Sequence, residues 1–383
     1  MLFPDGPGPG QRWPDSVPTL IDHPVVLRAH RSDDLPRLVE MCNDPEFARW
    51  TTTPHPYGAA DGHAFLSMLV PREVDAGRAM LWAVEAPPTP DGAPEFCGTI
   101  EIRLLDGQRG EIAFGLHPDA RGRGILRSAG RLALDWAYDV LGLQAVVWSA
   151  KVGNWASRHA AAALGFGFEG VRRAHRDQRG TLVDHWVATA LATDPRRSVA
   201  PPRQPVLTGE RVVLRPFEDD DADRIVEACA DPVSQHWLGA LPRGYRREHA
   251  LEFVEDCRET AATLTDWTWC ITARGDDRCV GALSLFRLRD RSGAGELGYW
   301  AHPAARGRGL ISDAARTVAD FTLGIGRDAP RFHRTVMVRA AAENLRSQAV
   351  AQNTGAGLVG RLPQAEQLGD GSWTDLLVFI RTR

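Results

Sequence analysis

Two tandem α+β domains, each a mixed, mostly antiparallel twisted sheet with helices on both faces, are predicted by three observations. The chain has 383 residues, more than one hydrophobic core usually supports. The stretch Glu111 to Ala129, EIAFGLHPDARGRGILRSA, is written again as Glu296 to Ala314, ELGYWAHPAARGRGLISDA. In each half, short apolar runs of β character come with helical periodicities inserted between them, the pattern of a layered α+β domain.

The elements follow in order. Residues 1–18 are rich in proline and glycine without periodicity, and are expected to be a disordered extension. A first domain over 19–193 starts with a strand near Val25, then a helix capped near Ser32 to Asp34 with Leu35, Leu38, Val39 and Cys42 on one face. A second helix is expected over Ala60 to Val70. Strands over Met80 to Glu85 and Cys97 to Leu104 flank a Pro- and Gly-rich loop, Pro87 to Pro94. The strand Glu111 to His117 leads into the glycine loop. Beyond it, Ile125, Ala129, Leu132, Ala133, Trp136, Ala137, Val140 and Leu141 recur at intervals of three and four, giving a long amphipathic helix that stops at Gly142. A strand over Ala145 to Ser149, a helix over Asn154 to Leu164 and strands over Gly167 to Arg172 and Thr181 to Leu191 complete the half. Residues 194–205, DPRRSVAPPRQP, read as a linker before a second domain over 206–383.

The second domain restarts the first. Leu27-Arg28 returns as Leu214-Arg215 and Trp50 as Trp237, 187 positions on; Glu111 and Arg121 return as Glu296 and Arg306 at 185; Asn154, Ser157 and Gly170 return as Asn344, Ser347 and Gly360 at 190. Offsets this steady mean duplication with small loop insertions.

Composition narrows the function classes. A hydrophobic share of 43%, a charged share of 25% and a net charge of -4 describe a soluble globular protein and argue against a nucleic-acid partner. No apolar run is long enough to cross a bilayer and the N-terminus lacks a secretion-signal layout, so a cytoplasmic protein with no membrane partner is expected. The six cysteines show neither C-x-x-C pairs nor histidines at metal-ligand spacing, which predicts reduced, buried thiols and no metal site. Cys42 and Cys229 fall at matching points of two helices, where packing accounts for them.

The doubled motif carries chemistry. A loop entering a helix through Gly122 and Gly124, and through Gly307 and Gly309 in the second copy, lets a ligand approach the backbone where no Cβ stands. The first N–H groups of that helix lack partners and face the positive end of its dipole, so an anion suits the place. Arg121 and Arg123, with Arg306 and Arg308, add guanidinium charge fitted to phosphate oxygens. Taken alone, an RGRG run is equally compatible with a solvated turn or a nucleic-acid contact.

Four features together resemble the GNAT superfamily of acetyl-CoA-dependent N-acetyltransferases, and within it the ribosomal-protein N-terminal acetyltransferase branch. They are the leading L-R strand, the E-I/L-x-x-x-x-H-P strand, the R-G-x-G loop opening a helix, and N-x-x-S followed by L-G-F-x-x-E-G, the last being Asn154, Ser157, Leu164-Gly165-Phe166 and Glu169-Gly170. The resemblance covers nearly all of Val25 to Leu191 and Arg211 to Arg381. It implies an enzyme moving acetyl from acetyl-CoA, as cosubstrate, to a primary amine, either a protein N-terminus or a small-molecule amine, by direct attack on the thioester. Arg121, Gly122, Arg123, Gly124, Ile125 and Leu126 would then hold the pyrophosphate, as would Arg306, Gly307, Arg308, Gly309, Leu310 and Ile311 in the second half. Leu116 and Ala301 would offer a backbone N–H to the thioester oxygen, and Asn154 and Asn344 would hold the pantetheine arm. Ser157 and Ser347 would return a proton to the leaving thiolate, and Glu111 and Glu296 would take one from the incoming ammonium.

Plainer readings stand beside these. Ser157 fits a first-turn polar residue, Asn154 an N-cap, and Glu111 a strand-start carboxylate paired with an arginine such as Arg103. Asp184 and Asp375 fit local structure. The second half departs further from the pattern, with Thr354-Gly355-Ala356 for Leu-Gly-Phe and Val359 for Glu169. Both halves are expected to keep the fold, with the first the firmer catalyst and the second either active or reduced to binding CoA. An acetyl-CoA sensor or scaffold with one or both halves silent is the alternative. The acceptor is expected across Trp50 to Tyr57, His236 to Tyr245 and the basic hairpin Arg172 to Arg179, and a homodimer is compatible with the sequence.

Overall fold

Arg28 is buried, and the chain supplies it with two carboxylates: Nη1 and Nη2 donate to Asp34 at 2.9 and 2.7 Å, and Nε to Glu85 at 2.6 Å. Asp34 also accepts from the Arg31 backbone N–H at 2.8 Å. The Leu-Arg pair therefore ties the first strand to the start of the first helix. In the second half Arg215 repeats the fork on Asp221, at 2.8 and 2.9 Å, with Asp277 as its other partner.

These details come from a computed structural model of the chain, which describes residues 13–89, 91–288, 293–325 and 333–383. The chain divides between Ala200 and Pro201 into two compact units. The first contains β1 (Leu20–Asp22), β2 (Val25–Arg28), α1 (Leu35–Asn43), α2 (Pro45–Trp50), α3 (Ala59–Ala64), α4 (Val70–Asp75), β3 (Ala79–Ala86), β4 (Glu95–Leu104), β5 (Arg109–Leu116), α5 (Ile125–Asp139), β6 (Ala145–Lys151), α6 (Trp155–Ala163), β7 (Gly167–Gln178) and β8 (Thr181–Leu191). The second contains β9 (Leu207–Thr208), β10 (Val212–Pro216), α7 (Ala222–Cys229), α8 (Pro232–Trp237), α9 (Arg247–Thr263), β11 (Asp266–Ala273), β12 (Asp276–Phe286), β13 (Ala294–Ala301), α10 (Leu310–Leu323), β14 (Thr335–Ala341), α11 (Leu345–Asn353), β15 (Gly357–Gln367) and β16 (Trp373–Thr382).

Each unit is an eight-stranded mixed sheet, in the orders β1-β2-β3-β4-β5-β6-β8-β7 and β15-β16-β14-β13-β12-β11-β10-β9. Among the described residues one pair in each sheet is parallel, β5 with β6 and β13 with β14; the other pairs are antiparallel. The expected α+β fold, mixed and mostly antiparallel with helices on both faces, is found in both halves. In the first unit α5 buries Ala129, Ala133, Trp136 and Ala137 against Trp82, Ile100, Ile102 and Trp148. The opposite face carries α1 and α3, with Leu38, Met41 and Cys42 packed on Ala83 and Phe96. All six cysteines are free and buried, and burial pushes the Cys42 and Cys229 thiols up to about 12, which fits packing and not nucleophilic chemistry.

Several elements differ from expectation. Strand β1 and helix α2 are additional, being too short to show a period. The second helix runs on through a π turn, Phe65–Leu69, and α4 to Asp75, well beyond Val70. Strand β7 extends to Gln178, although polar, because Asp184 supports a bulge in it: its carboxylate accepts from Ala174 N–H at 2.8 Å, as Asp375 does from Gln364 N–H at 2.9 Å. These two aspartates serve local structure.

The expected extension needs correction over Trp13 to Pro18, residues 1–12 lying outside those described. Trp13 donates its indole N–H to Val74 O at 2.8 Å and packs edge-on against Trp136, while Trp82 Nε1 donates to Pro18 O at 2.9 Å. Trp269 Nε1 does the same to Pro205 O at 2.7 Å. Two core indoles thus hook the approach to each sheet, and absence of periodicity hid it. Of the stretch 194–205, Arg196 is clamped by Asp135 and Asp139, Val199 N–H donates to Ala162 O, and Gln204 donates to Thr268 O.

Candidate active site

The gap between the parallel strands sets the site. Pairing of β5 with β6 ends at Ile112 opposite Trp148, yet β5 continues to Leu116 and β6 to Lys151. The second unit repeats this, with pairing ending at Leu297 opposite Val338. His117 N–H donates to Cys97 O at 2.9 Å, so by antiparallel alternation the N–H groups of Phe114 and Leu116 turn away from β4 towards the gap. His302 N–H on Val280 O puts Tyr299 and Ala301 in the same attitude. The splay therefore leaves backbone donors free on one side of an opening.

His-Pro and the glycines turn the chain from that strand into a helix. His117 Nδ1 accepts from Asp119 N–H, so its Nε2 carries the proton towards Glu40, 3.2 Å away; His302 does the same with Ala304 and Glu227. Gly122 and Gly124 take φ of 73° and 79°, and Gly307 and Gly309 take 73° and 74°, in the left-handed region that a side chain disfavours. A Cβ at Gly122, Gly124 or Gly307 would meet nothing within 4 Å. The glycines answer a backbone requirement, and open space lies before them. Among the described residues the N–H groups of Gly122, Gly124, Ile125 and Leu126 have no backbone acceptor, as is true of Gly307, Gly309, Leu310 and Ile311. This nest of donors at the N-terminus of a long helix fits a diphosphate.

The arginines divide. Arg121, expected on phosphate, is turned away: its Nη2 donates to Asp44 at 2.6 Å and to Leu116 O at 3.2 Å, and its backbone N–H donates to Pro118 O. Arg306 likewise donates to Asp231 at 2.6 Å and Ser234 at 3.0 Å. Asp44 and Asp231 cap α2 and α8, so these arginines tie the loop to the acceptor-side helix. Burial works to raise the Asp44 carboxyl, but Arg121 and the Phe47 N–H together hold it below the usual range. A spacing rule cannot foresee a carboxylate seventy-seven positions away. Arg123 contacts only carbonyls, of Pro87 and Asp119, and neither it nor Arg308 meets a carboxylate among the described residues, leaving both charges for an anion.

Asn154 and Asn344 cap α6 and α11, each accepting from the serine three residues on at 3.1 Å. Both readings of Asn154 are therefore compatible, since its amide nitrogen is not used in the cap. Ser157 and Ser347 stand in the first turns of those helices. Ser157 Oγ accepts from the Trp148 indole N–H at 3.1 Å. Ser347 Oγ lies 3.1 Å from Tyr299 Oη, which donates to Ser347 O at 2.9 Å. Trp148 and Tyr299 were not anticipated, since neither is the duplicate of the other: the positions matching them hold Val338 and Phe114.

Glu111 Oε1 accepts from Ser149 Oγ at 2.8 Å and from Arg176 Nη2, not from Arg103, which reaches across to Glu73 at 2.9 Å. Its Oε2 has no partner among the described residues. Glu296 accepts from Arg339 Nε at 2.6 Å. Over this end each unit folds its last hairpin onto its second helix. Gln178 donates to Arg49 O and Arg179 to Ala48 O, both at 3.0 Å, while Gly369 N–H donates to His236 O at 2.8 Å. The segments expected around the acceptor are thus brought together. In the second unit a cleft of ≈ 640 Å³ runs from Gly307, Gly309 and Ile311 past Asn344, Ser347 and Tyr299 to Glu296, Trp237 and Glu366.

The chain matches the family described as acetyltransferase (GNAT) domain twice, over residues 25–167 and 211–357. It is 28% identical over 106 residues to the ribosomal-protein-serine acetyltransferase of Escherichia coli K12, a match covering 28% of this chain and 56% of that protein, so the chain spans about half the length of this relative. It is 27% identical over 157 residues to Bacillus subtilis YdaF, which carries the provisional description of a ribosomal N-acetyltransferase, covering 40% of this chain and 83% of YdaF. A solved structure of RimL, a ribosomal L7/L12 alpha-N-protein acetyltransferase in complex with coenzyme A, aligns at 19% identity over 46% of this chain and 98% of its own, with a TM-score of 0.41. The Salmonella typhimurium acetyltransferase that modifies the N-terminal serine of L7/L12 aligns at 18% identity over 47% and 99%, with a TM-score of 0.40. Among the described residues no helix is long and apolar enough to cross a membrane and no acidic, histidine or cysteine cluster could hold a metal.

Proposed function

Because the chain belongs to the acetyltransferase (GNAT) domain family in both halves, we propose that it transfers acetyl from acetyl-CoA to a primary amine, a protein N-terminus or a small-molecule amine, by direct attack on the thioester. The single observation that supports this best is the doubled pairing of a strand gap with a glycine-opened helix start and a serine beside it. A cytoplasmic setting suits the six free thiols.

In this mechanism the N–H groups of Gly122 to Leu126, or Gly307 to Ile311, hold the diphosphate, and Arg123 or Arg308 adds charge. Asn154 or Asn344 steadies the pantetheine through its amide. The amine nitrogen bonds to the thioester carbon and the carbonyl oxygen gains charge, which the Leu116 or Ala301 N–H meets in the gap. The C–S bond then breaks. Before attack the ammonium gives one proton to Glu111 Oε2; as the thiolate leaves, Ser157 gives it a hydrogen and takes back the second proton shed by the nitrogen, so one proton ends on the carboxylate and one passes in net from nitrogen to sulfur. Trp148 can only donate, so Ser157 must accept from it and its own hydrogen stays available. Tyr299 gives its single proton to a main-chain oxygen, which can only accept, so Ser347 donates to Tyr299. That difference favours a second reading for the C-terminal half alone, in which it binds acetyl-CoA and turns over slowly.

Calorimetry with acetyl-CoA on the whole chain, followed by thiol release on an amine panel, tests the proposal. Two sites and CoA release on some primary amine are expected. Absence of binding at both cradles would overturn it.

A further inference from the structure

We propose that the acceptor end of the second cleft is a binding site for an aliphatic amine that carries a second positive charge, held between the Glu366 carboxylate and the Trp237 ring. Two sets of matching positions carry this. Arg176 pairs across from Val183, and Glu366 from Thr374, at equivalent registers of the two hairpins, 190 positions apart like Asn154 and Asn344. In the first unit that position is a cation already used on Glu111. In the second it is a half-buried carboxylate lining the cleft, and among the described residues it meets no cation.

The aromatic partner shows the same contrast. Trp50 is covered by the chain's own charges, with Arg49 Cζ 4.6 Å and Lys151 Nζ 5.7 Å from its ring centroid. The positions matching those two are His236 and Ala341; His236 lies edge-on to Trp237 with ring centroids 4.5 Å apart, and no arginine or lysine lies over the Trp237 ring among the described residues. At the positions of Lys151 and Arg176, therefore, the first unit supplies a cation of its own where the second has Ala341 and Glu366 and leaves the place to a ligand. A carboxylate and an indole lining one cleft are the pair that recognises an organic ammonium group. The other charges lining the cleft do not cancel it. Arg339 is paired with Glu296 and Arg306 with Asp231, and Arg346 stands beside Asn344 on α11, the side assigned to the carrier.

That the occupant is an acceptor presupposes acetyl transfer; that it binds does not, so the two are tested separately. Calorimetry on the full chain with CoA present would compare 1,5-diaminopentane with pentylamine, which differ only in the second ammonium. The diamine is expected to bind at least about tenfold tighter. Glu366→Gln should bring it to the monoamine level, and Trp237→Leu should weaken it severalfold. Equal affinity for the two amines, or a preference that survives Glu366→Gln, overturns the site. In a parallel thiol-release assay, tight diamine binding with no acetylation by the wild-type chain would instead sink the transferase function while leaving the site in place.

Discussion

The two serines, Ser157 and Ser347, have the same fold position, the same asparagine cap and opposite hydrogen-bond roles. An indole from β6 leaves Ser157 its proton; a phenol from β13 draws the proton of Ser347 to itself. Burial pushes the Tyr299 hydroxyl up to about 12, so at neutral pH the phenol stays protonated and the arrangement holds. Duplication has preserved the backbone that makes a site while letting the proton chemistry drift. The same is true at the acceptor end, where Arg176 and Glu366 stand at one register with opposite charge.

The largest effect should come from closing one cradle at a time. Gly124→Val forces a branched side chain onto φ of 79° and into the space before the helix, and on the order of a hundredfold loss of acetyl-CoA affinity is expected at that site only. Isothermal titration should then count one site, and Gly309→Val should remove the other. If either substitution abolishes both, the halves are not independent.

Next comes the proton. Ser157→Ala should lower kcat by roughly ten- to a thousandfold with little change in KM, whereas Ser347→Ala should cost less, since its hydrogen is already committed. Tyr299→Phe, which installs the residue of the first half, should raise turnover of a chain whose Ser157 is alanine. A fall instead would make Tyr299 itself the donor.

Smaller still is a stability difference. His30 lies edge-on to Phe65 at 5.5 Å with both ring nitrogens shut from water and without a hydrogen-bond partner among the described residues; Phe217 occupies the matching place against Phe253 at 5.3 Å. Burial, against the pull of Asp34, holds His30 down to about 4. The unfolded imidazole takes up a proton near pH 6.5 and the folded one does not until about pH 4, so stability falls as pH drops through that window, by up to about 3 kcal/mol. His30→Phe should raise the melting temperature of the first unit at pH 7 and abolish that pH slope, measured by scanning calorimetry. The most local effect is expected of Gly369→Ala, whose Cβ would stand 1.7 Å from the Gln235 main-chain O and so push the hairpin off α8: a higher KM for the amine with acetyl-CoA affinity unchanged.

The fold was legible because its signals are local and doubled. Periodicity marks α5, the repeated motif marks α10, and the glycines mark the helix starts to the residue. The candidate site was legible only along the backbone. The N–H donors, the serines and the asparagine caps sit at fixed offsets from the motif, but the partners that decide what each side chain does come from elsewhere in the chain. Asp44 takes Arg121, Arg176 takes Glu111, and Trp148 orients Ser157, each through a contact that no spacing within the motif encodes.

Between Val199, whose N–H is bound to Ala162, and Gln204, whose amide reaches Thr268, only four residues lack an anchor on a unit. Either half expressed alone should therefore be severed inside 200–203. A cut upstream would strip Arg196 from Asp135 and Asp139, and one downstream would take Pro205 from beneath the Trp269 indole. A protease meeting the native protein should find its nick at Pro202 or Arg203, both exposed, and leave two fragments that each still melt cooperatively.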